Sequence, residues 1–539
     1  MRSNLEKIDH IVVLMLENRS FDNLLGWLDT KGRRKQYVNG VAGKRLTNPI
    51  PPYADHPKGM TSIPIAKSSV TTNPNPDPGE GYTHANTQLY GIVNPDKNRY
   101  APFNLKPYNL PSDGKLPRPA PMSGFVTDYI NNFQAVRRRS PRFKEYKIIM
   151  DCLDERALPV LTTLAKEYAV FDAWHSSVPS ETFCNRAFLH AGTSNGGVTN
   201  APFYHWVLHD TTTIFDQIQG KNDPKVTWKV YYDKLDLIWI AGLVFPSLWK
   251  HHGTKIKFME DFESDAASGN LPSYSFIEPR LFIDHNDAHP PSAEDPIGTS
   301  SLSAGELLID QVYQAVRNGK NWERTLLIIT FDEHGGCYDH VPPPSTISPD
   351  PKKAVGQYGF RFDRLGVRVP TVMISPYIKK GTVISDVFDH TSILRTICKR
   401  WDLKPLTERD QNARSFEKVL NSKEVRTDSP KIKPRRYSTP ARAHEEPLND
   451  LQRTILYFVA GYDEALKIER DGNLLRMAED LFWLVQAEGR IAHIKTTGQA
   501  IAFIKSFAQE RRTHSPHRHF LKHQWNTLKR LFRPPLHPD

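Results

Sequence analysis

Residues 8–16 read IDHIVVLML and residues 325–331 read TLLIITF, two compact apolar runs rich in β-branched side chains. A strand with one face in water alternates apolar and polar residues. Unbroken runs of this kind belong inside a parallel sheet covered on both faces. Both runs stop abruptly on polar chemistry, the first at Glu17, Asn18 and Arg19, the second at Asp332, Glu333 and His334 followed by Gly335 and Gly336. Open α/β sheets carry their sites in the crevice beyond the carboxyl ends of the strands, so both groups of acids are expected at one edge. Residues 168–174, 228–232, 274–277 and 369–375 are further strand candidates, and 303–318 has helical spacing. Helices between such strands give an α/β sandwich.

A chain of 539 residues with 39% hydrophobic and 24% charged content has the balance of a soluble globular protein with a large core. The reading is one large domain over residues 1–440, a helical appendage over 441–510 and a basic tail over 511–539. Residues 48–78 are dense in proline and lack periodicity, so they are read as an ordered excursion and not a strand–helix unit. The net charge of +11 favours anionic partners: phosphate esters, nucleic acid or an acidic membrane surface. Cys152, Cys184, Cys337 and Cys398 are widely spaced, which predicts reduced, buried thiols. No export leader and no membrane-spanning run is visible, so the default location is cytoplasmic.

Residues 176–197, SSVPSETFCNRAFLHAGTSNGG, supply a third component. A helix is predicted to begin near Thr182, where backbone amides and the positive dipole end favour a phosphoryl group beside the hydroxyl. The same residue is also an ordinary helix cap when seen alone. Hard oxygen donors from Glu17, Asn18, Asp332 and Glu333 suit a divalent cation, calcium, magnesium or manganese, that would lower the pKa of a nearby hydroxyl.

These blocks, with DPGEGYTHANTQLYG at 77–91, LPVLTTLAKEYAVFDAWHSSVPSETFCNRAFLHAGTSNG at 158–196 and FDEHGGCYDHVPPP at 331–344, resemble the bacterial phosphoesterase family that holds phosphatidylcholine-hydrolysing phospholipases C and certain acid phosphatases. The resemblance runs from about residue 8 to 413. It implies an alkaline-phosphatase-like α/β/α sandwich with a large, mostly parallel sheet, and it makes residues 1–440 the catalytic domain. It implies Glu17, Asn18, Asp332 and Glu333 as the metal centre and Thr182 as the nucleophile, with His84 and His289 in acid–base or phosphate-binding roles. Asn185, Arg186, His251, His340 and His390 are candidates for substrate contacts, His340 and His390 being equally open to structural roles. A threonine nucleophile with an Asp–Glu pair leans toward phospholipase C, whereas acid-phosphatase-like members tend to carry serine and Asp–Asp. Residues from 451 onward show helical spacing. Beyond them Trp525 and Phe532 lie among basic residues that could hold an anionic bilayer. Nucleic acid is the less favoured partner. The alternative outside catalysis is a basic binding protein on a degenerate enzyme fold, against which the intact acids and Thr182 argue.

Overall fold

The computed structural model describes residues 4–28, 38–91, 116–200, 205–206, 211–236, 238–282, 284–292, 301–350, 355–434, 445, 447–449, 451–460 and 490–513. Eight strands form the central sheet: β1 (His10–Leu16), β2 (Ala169–Phe171), β3 (Trp228–Tyr232), β4 (Ile256–Phe258), β5 (Tyr274–Ile277), β6 (Thr325–Phe331), β7 (Thr371–Ile374) and β8 (Thr382–Ile384). Their order is β8-β2-β7-β6-β1-β5-β3-β4. Every neighbouring pair is parallel except the two made by β7, which runs against both β6 and β2. The two apolar runs lie side by side at the centre, and every residue of β6 is buried. Leu16 pairs with Phe331, so the chain leaves β1 and β6 in register and Glu17 emerges beside Asp332.

Helices pack in layers about this sheet. Ser301–Asn318 packs with Pro159–Glu167 and Met259–Ser268, while Thr182–Ala191 packs with Thr391–Trp401 and Ile240–Val244. The result is the expected α/β class with a large, mostly parallel sheet. The main hydrophobic core takes in β1, β5, β6 and β7 and also Leu451, Ile455, Phe458, Ile501 and Ile504 of the C-terminal region. A second cluster joins Ile50 and Ile63 of the proline-rich excursion to Phe125, Tyr129 and Ile130.

Residues 168–174 do not form one strand. The chain leaves the sheet after Phe171, and Trp174–His175 pairs instead with Phe388–Asp389. The break falls at buried Asp172, whose carboxylate accepts the Asn39 N–H at 2.7 Å. The excursion at 48–78 is ordered and without a helix, but it carries short strands at Thr47–Pro49, Ser62–Pro64 and Ala66–Ser68. The four cysteines are free and buried. Residues 461–489 of the appendage, and all side chains of the basic tail, lie outside the described residues.

Candidate active site

The first turn after β1 is bent by Asn18, whose φ of 56° is left-handed, a conformation asparagine tolerates better than most residues. Its backbone N–H donates to Asp332 Oδ1 at 3.1 Å, and the Glu333 N–H donates to the same oxygen at 2.7 Å. Across this edge the helix Thr182–Ala191 starts at Thr182 and ends on left-handed Gly192. Thr182 and Arg186 stand four residues apart, on one face of that helix. The Thr182 hydroxyl donates to Glu17 Oε2 at 3.0 Å, and Arg186 donates to Glu17 Oε1. The Arg186 Nε lies 3.7 Å from Asp332 Oδ2. One guanidinium thus sits between two of the predicted metal-centre acids.

All of these side chains are buried, Thr182 with 0% exposure. Burial pushes the Glu17 carboxyl well above its usual range, Arg186 opposes that, and Asp332 adds to it. Glu333 is raised well above its usual range by burial and then by Asp332. Buried carboxyls crowded in this way are relieved by a proton or by a cation between them. Among the described residues, Asn18 Oδ1, Asp332 Oδ2 and Glu333 Oε1 are buried and make no hydrogen bond, three hard oxygen donors of the type a divalent cation takes. The set fits a cation, although as arranged it is not tight. Arg186 lies between Glu17 and Asp332, and Glu333 Oε2 accepts the Gly335 N–H at 2.7 Å. The described groups with three ligand atoms within 4.8 Å of one another are Asp77–Glu80–His289 and Asp22–Asp339–His340.

The histidines divide. His84 Nδ1 pairs with the buried Asp128 carboxylate at 3.0 Å. Its ring packs so close to the DPGEG loop that a Cβ on Gly79 would fall 1.9 Å from Nδ1. The ring lines a cavity of about 320 Å³ together with Glu80, Glu181, Thr199, Tyr358 and Thr454. Thr182 does not line this cavity, but its neighbour Glu181 does, accepting the Asn200 N–H at 2.5 Å. His289 sits with Asp77 and Glu80, and Glu80 accepts from the Asn18 amide. His390 donates from Nε2 to the Asp332 carbonyl at 2.6 Å and accepts from Trp174, which fixes the end of β6.

Asn185 and Arg186 lie in the helix that carries Thr182, and His340 and His251 lie apart from it. Asn185 spends its amide on the backbone of the preceding turn, accepting from Val178 N and donating to Ser180 O at 2.8 Å. Arg186 serves the acids beneath Thr182. His340 belongs to a separate network, with Nδ1 2.5 Å from Asp22 Oδ2 and Nε2 2.6 Å from Lys44, where Arg368 already pairs with Asp22 and Asp339. His251 packs edge-on against Trp228, the first residue of β3, which places it at the amino edge of a sheet whose acids emerge at the carboxyl edge. The strand-end logic in turn misses Asp77, Glu80, Asp128 and Glu181. The first two lie in the DPGEGYTH block, whose alternating acids and glycines before a helix are the available signal.

A mostly parallel α/β sheet that sets carboxylates against a helix-terminal hydroxyl at its carboxyl edge has the layout of a hydrolase site. Residues 8–404 match the Phosphoesterase family. Non-specific phospholipase C6 of Arabidopsis thaliana is 34% identical over 457 residues, covering 81% of this chain and 76% of that protein. Phospholipase C B of Mycobacterium tuberculosis is 29% identical over 429 residues, 74% of each chain. Among solved structures, a protein in the alkaline phosphatase superfamily from Vibrio parahaemolyticus is similar at a TM-score of 0.30 and 12% identity, over 48% of this chain and 64% of that one. The chain belongs to the Phosphoesterase family and is a phosphoric ester hydrolase.

Proposed function

We propose that the chain hydrolyses phosphodiesters in the manner of a phospholipase C, with Thr182 as nucleophile. The observation that carries this reading is the hydrogen bond from the Thr182 hydroxyl to Glu17, whose second oxygen is held by Arg186 from the same helix. Asn18, Asp332 and Glu333 would hold a divalent cation, with Glu17 beside it. Bound there, such an ion supplies a Lewis acid that makes the hydroxyl easier to deprotonate and offsets charge developing on phosphate oxygens.

In the first half-reaction the Thr182 oxygen bonds to phosphorus, its proton passes to Glu17, and the bond to the leaving oxygen breaks. Glu17 Oε2 is the acceptor already within hydrogen-bond reach of that hydroxyl. His84, oriented by Asp128, protonates the departing alcohol, for which the lipid glycerol oxygen is the natural candidate. The headgroup phosphate is then esterified to Thr182. In the second half-reaction water bonds to phosphorus and gives its proton to His84, the bond from phosphorus to the Thr182 oxygen breaks, and the proton held by Glu17 returns to that oxygen. The cavity lined by Glu80, Glu181 and Thr454 adjoins this centre and would hold one substituent of the ester. Residues 1–440 form the catalytic domain in this reading, with 441–510 appended to it and 511–539 as a basic, membrane-facing tail.

Replacing Thr182 by Val keeps the shape and removes the hydroxyl. Turnover of phosphatidylcholine by folded Thr182→Val is expected to fall by at least about a thousandfold. Wild-type turnover in that variant would refute the reading. Faster hydrolysis of p-nitrophenyl phosphate than of phosphatidylcholine by the native chain would shift it to a phosphomonoesterase.

A further inference from the structure

Asp77 and Glu80 arrive on the loop before the helix Tyr82–Tyr90, and His289 on the loop before Ser301–Asn318. His289 Nε2 lies 3.3 Å from Asp77 Oδ2 and 4.0 Å from Glu80 Oε2, and the three ligand atoms lie within 4.8 Å of one another. The loops are tied in place by backbone contacts: the Asp77 N–H donates to Pro291 O at 2.9 Å, and the His289 N–H to Asp287 Oδ1 at 3.0 Å. The imidazole is 0% exposed; among the described residues its Nδ1 makes no hydrogen bond, and its Nε2 faces the two carboxylates with a single long contact, to Asp77. Two carboxylates and a buried imidazole turned toward one another in this way form a donor set that a metal ion would complete.

We propose that Asp77, Glu80 and His289 form a second divalent-cation site, separate from the donors at the ends of β1 and β6. Two carboxylate oxygens and one imidazole nitrogen suit manganese or zinc better than calcium, which prefers oxygen alone. The sites communicate through one residue. Asn18 donates its side-chain amide to Glu80 and its backbone N–H to Asp332, so a cation that fixes Glu80 also fixes the turn carrying the first donor set.

The test counts metal and does not depend on turnover. The full-length chain is equilibrated with Mn2+, freed of excess by gel filtration and analysed for manganese per chain. Two ions are expected for the wild type and one each for Asp77→Asn, Glu80→Gln and Asp332→Asn, with circular dichroism confirming the fold. Should Asp77→Asn fail to fold, Glu80→Gln and His289→Gln carry the comparison. A wild-type count of one or none, or the full wild-type count retained in the folded Glu80→Gln and His289→Gln variants, overturns the site and leaves Asp77–His289 as a plain ion pair.

Discussion

Glu17 is gripped on both oxygens from one helix face, by Thr182 on one and Arg186 on the other. The three residues act as a brace, because the acid, the hydroxyl and the guanidinium are all buried and none can turn to water. Arg186→Met therefore leaves Glu17 and Asp332 uncompensated. A loss of about 3–5 kcal/mol in urea denaturation is expected, the usual effect of breaking one side of a buried ion pair. A loss below about 1 kcal/mol would mean that the acids are balanced by other means. His175 offers a pH readout away from the site. Burial lowers its pKa from 6.5 to about 3, against the hydrogen bond to the Gly366 carbonyl. The unfolded chain protonates this ring below 6.5 while the folded chain stays neutral until about 3, so its contribution is complete above 6.5 and drains away as the pH falls between those values. At most one proton's worth, about 1.4 kcal/mol per pH unit, is at stake. His175→Asn keeps a donor for Gly366, and the difference in unfolding free energy between pH 7 and pH 5 should shrink by about 2 kcal/mol relative to the wild type. An unchanged difference would assign the acid sensitivity to other groups.

At the scale of elements, the site depends on two turns whose geometry only particular residues permit. Gly335 has a φ of 59°, and a Cβ there would lie 2.2 Å from the Asn18 carbonyl oxygen. Gly335→Ala is expected to push Asn18 away from Asp332 and lower kcat/KM on a phosphodiester by at least about tenfold, with strain of about 1–3 kcal/mol; unchanged kinetics would show that this turn has slack. The helical stretch 451–460 bears on the site from another direction, because Phe458 meets Phe183, next to Thr182, with ring centroids 5.7 Å apart. Phe458→Ala should cost about 3–5 kcal/mol by urea denaturation, as for any large core ring, where a surface ring would cost little. These elements also mark how far the sequence could be read. The strands at 228–232, 274–277 and 325–331 were legible because their apolar runs are bounded by polar residues, and Glu17 and Asp332 were legible because they end two such runs. Strands β4 and β8 have three residues each, too short for a period to show. Asp77 and Glu80 ride a proline- and glycine-rich loop with no period at all. His251 misled because histidine type alone carries no direction, and its edge of the sheet is set by the register of β3, which sequence does not display.

For the whole molecule, the main core is continuous from β1 through the helix bearing Thr182 to Leu451, Ile455 and Ile504. The described part of the C-terminal region shares the catalytic core, and Thr454 reaches the cavity beside the site. Among the described residues no helix is long and apolar enough to cross a membrane. The net charge of +11 suits an anionic partner. Removing divalent cations with EDTA should abolish turnover and adding Mn2+ should restore it, since the acids opposite Thr182 would otherwise face one another with Arg186 alone between them. Full activity after exhaustive chelation would exclude the cation from the reaction. The central claim is that Thr182 carries the phosphate through the reaction. Acid-quenching the enzyme during turnover of phosphatidylcholine and sequencing its peptides by mass spectrometry should find phosphocholine esterified to Thr182 and to no other residue; an unmodified Thr182 peptide throughout the burst, or the adduct on another side chain, would contradict it.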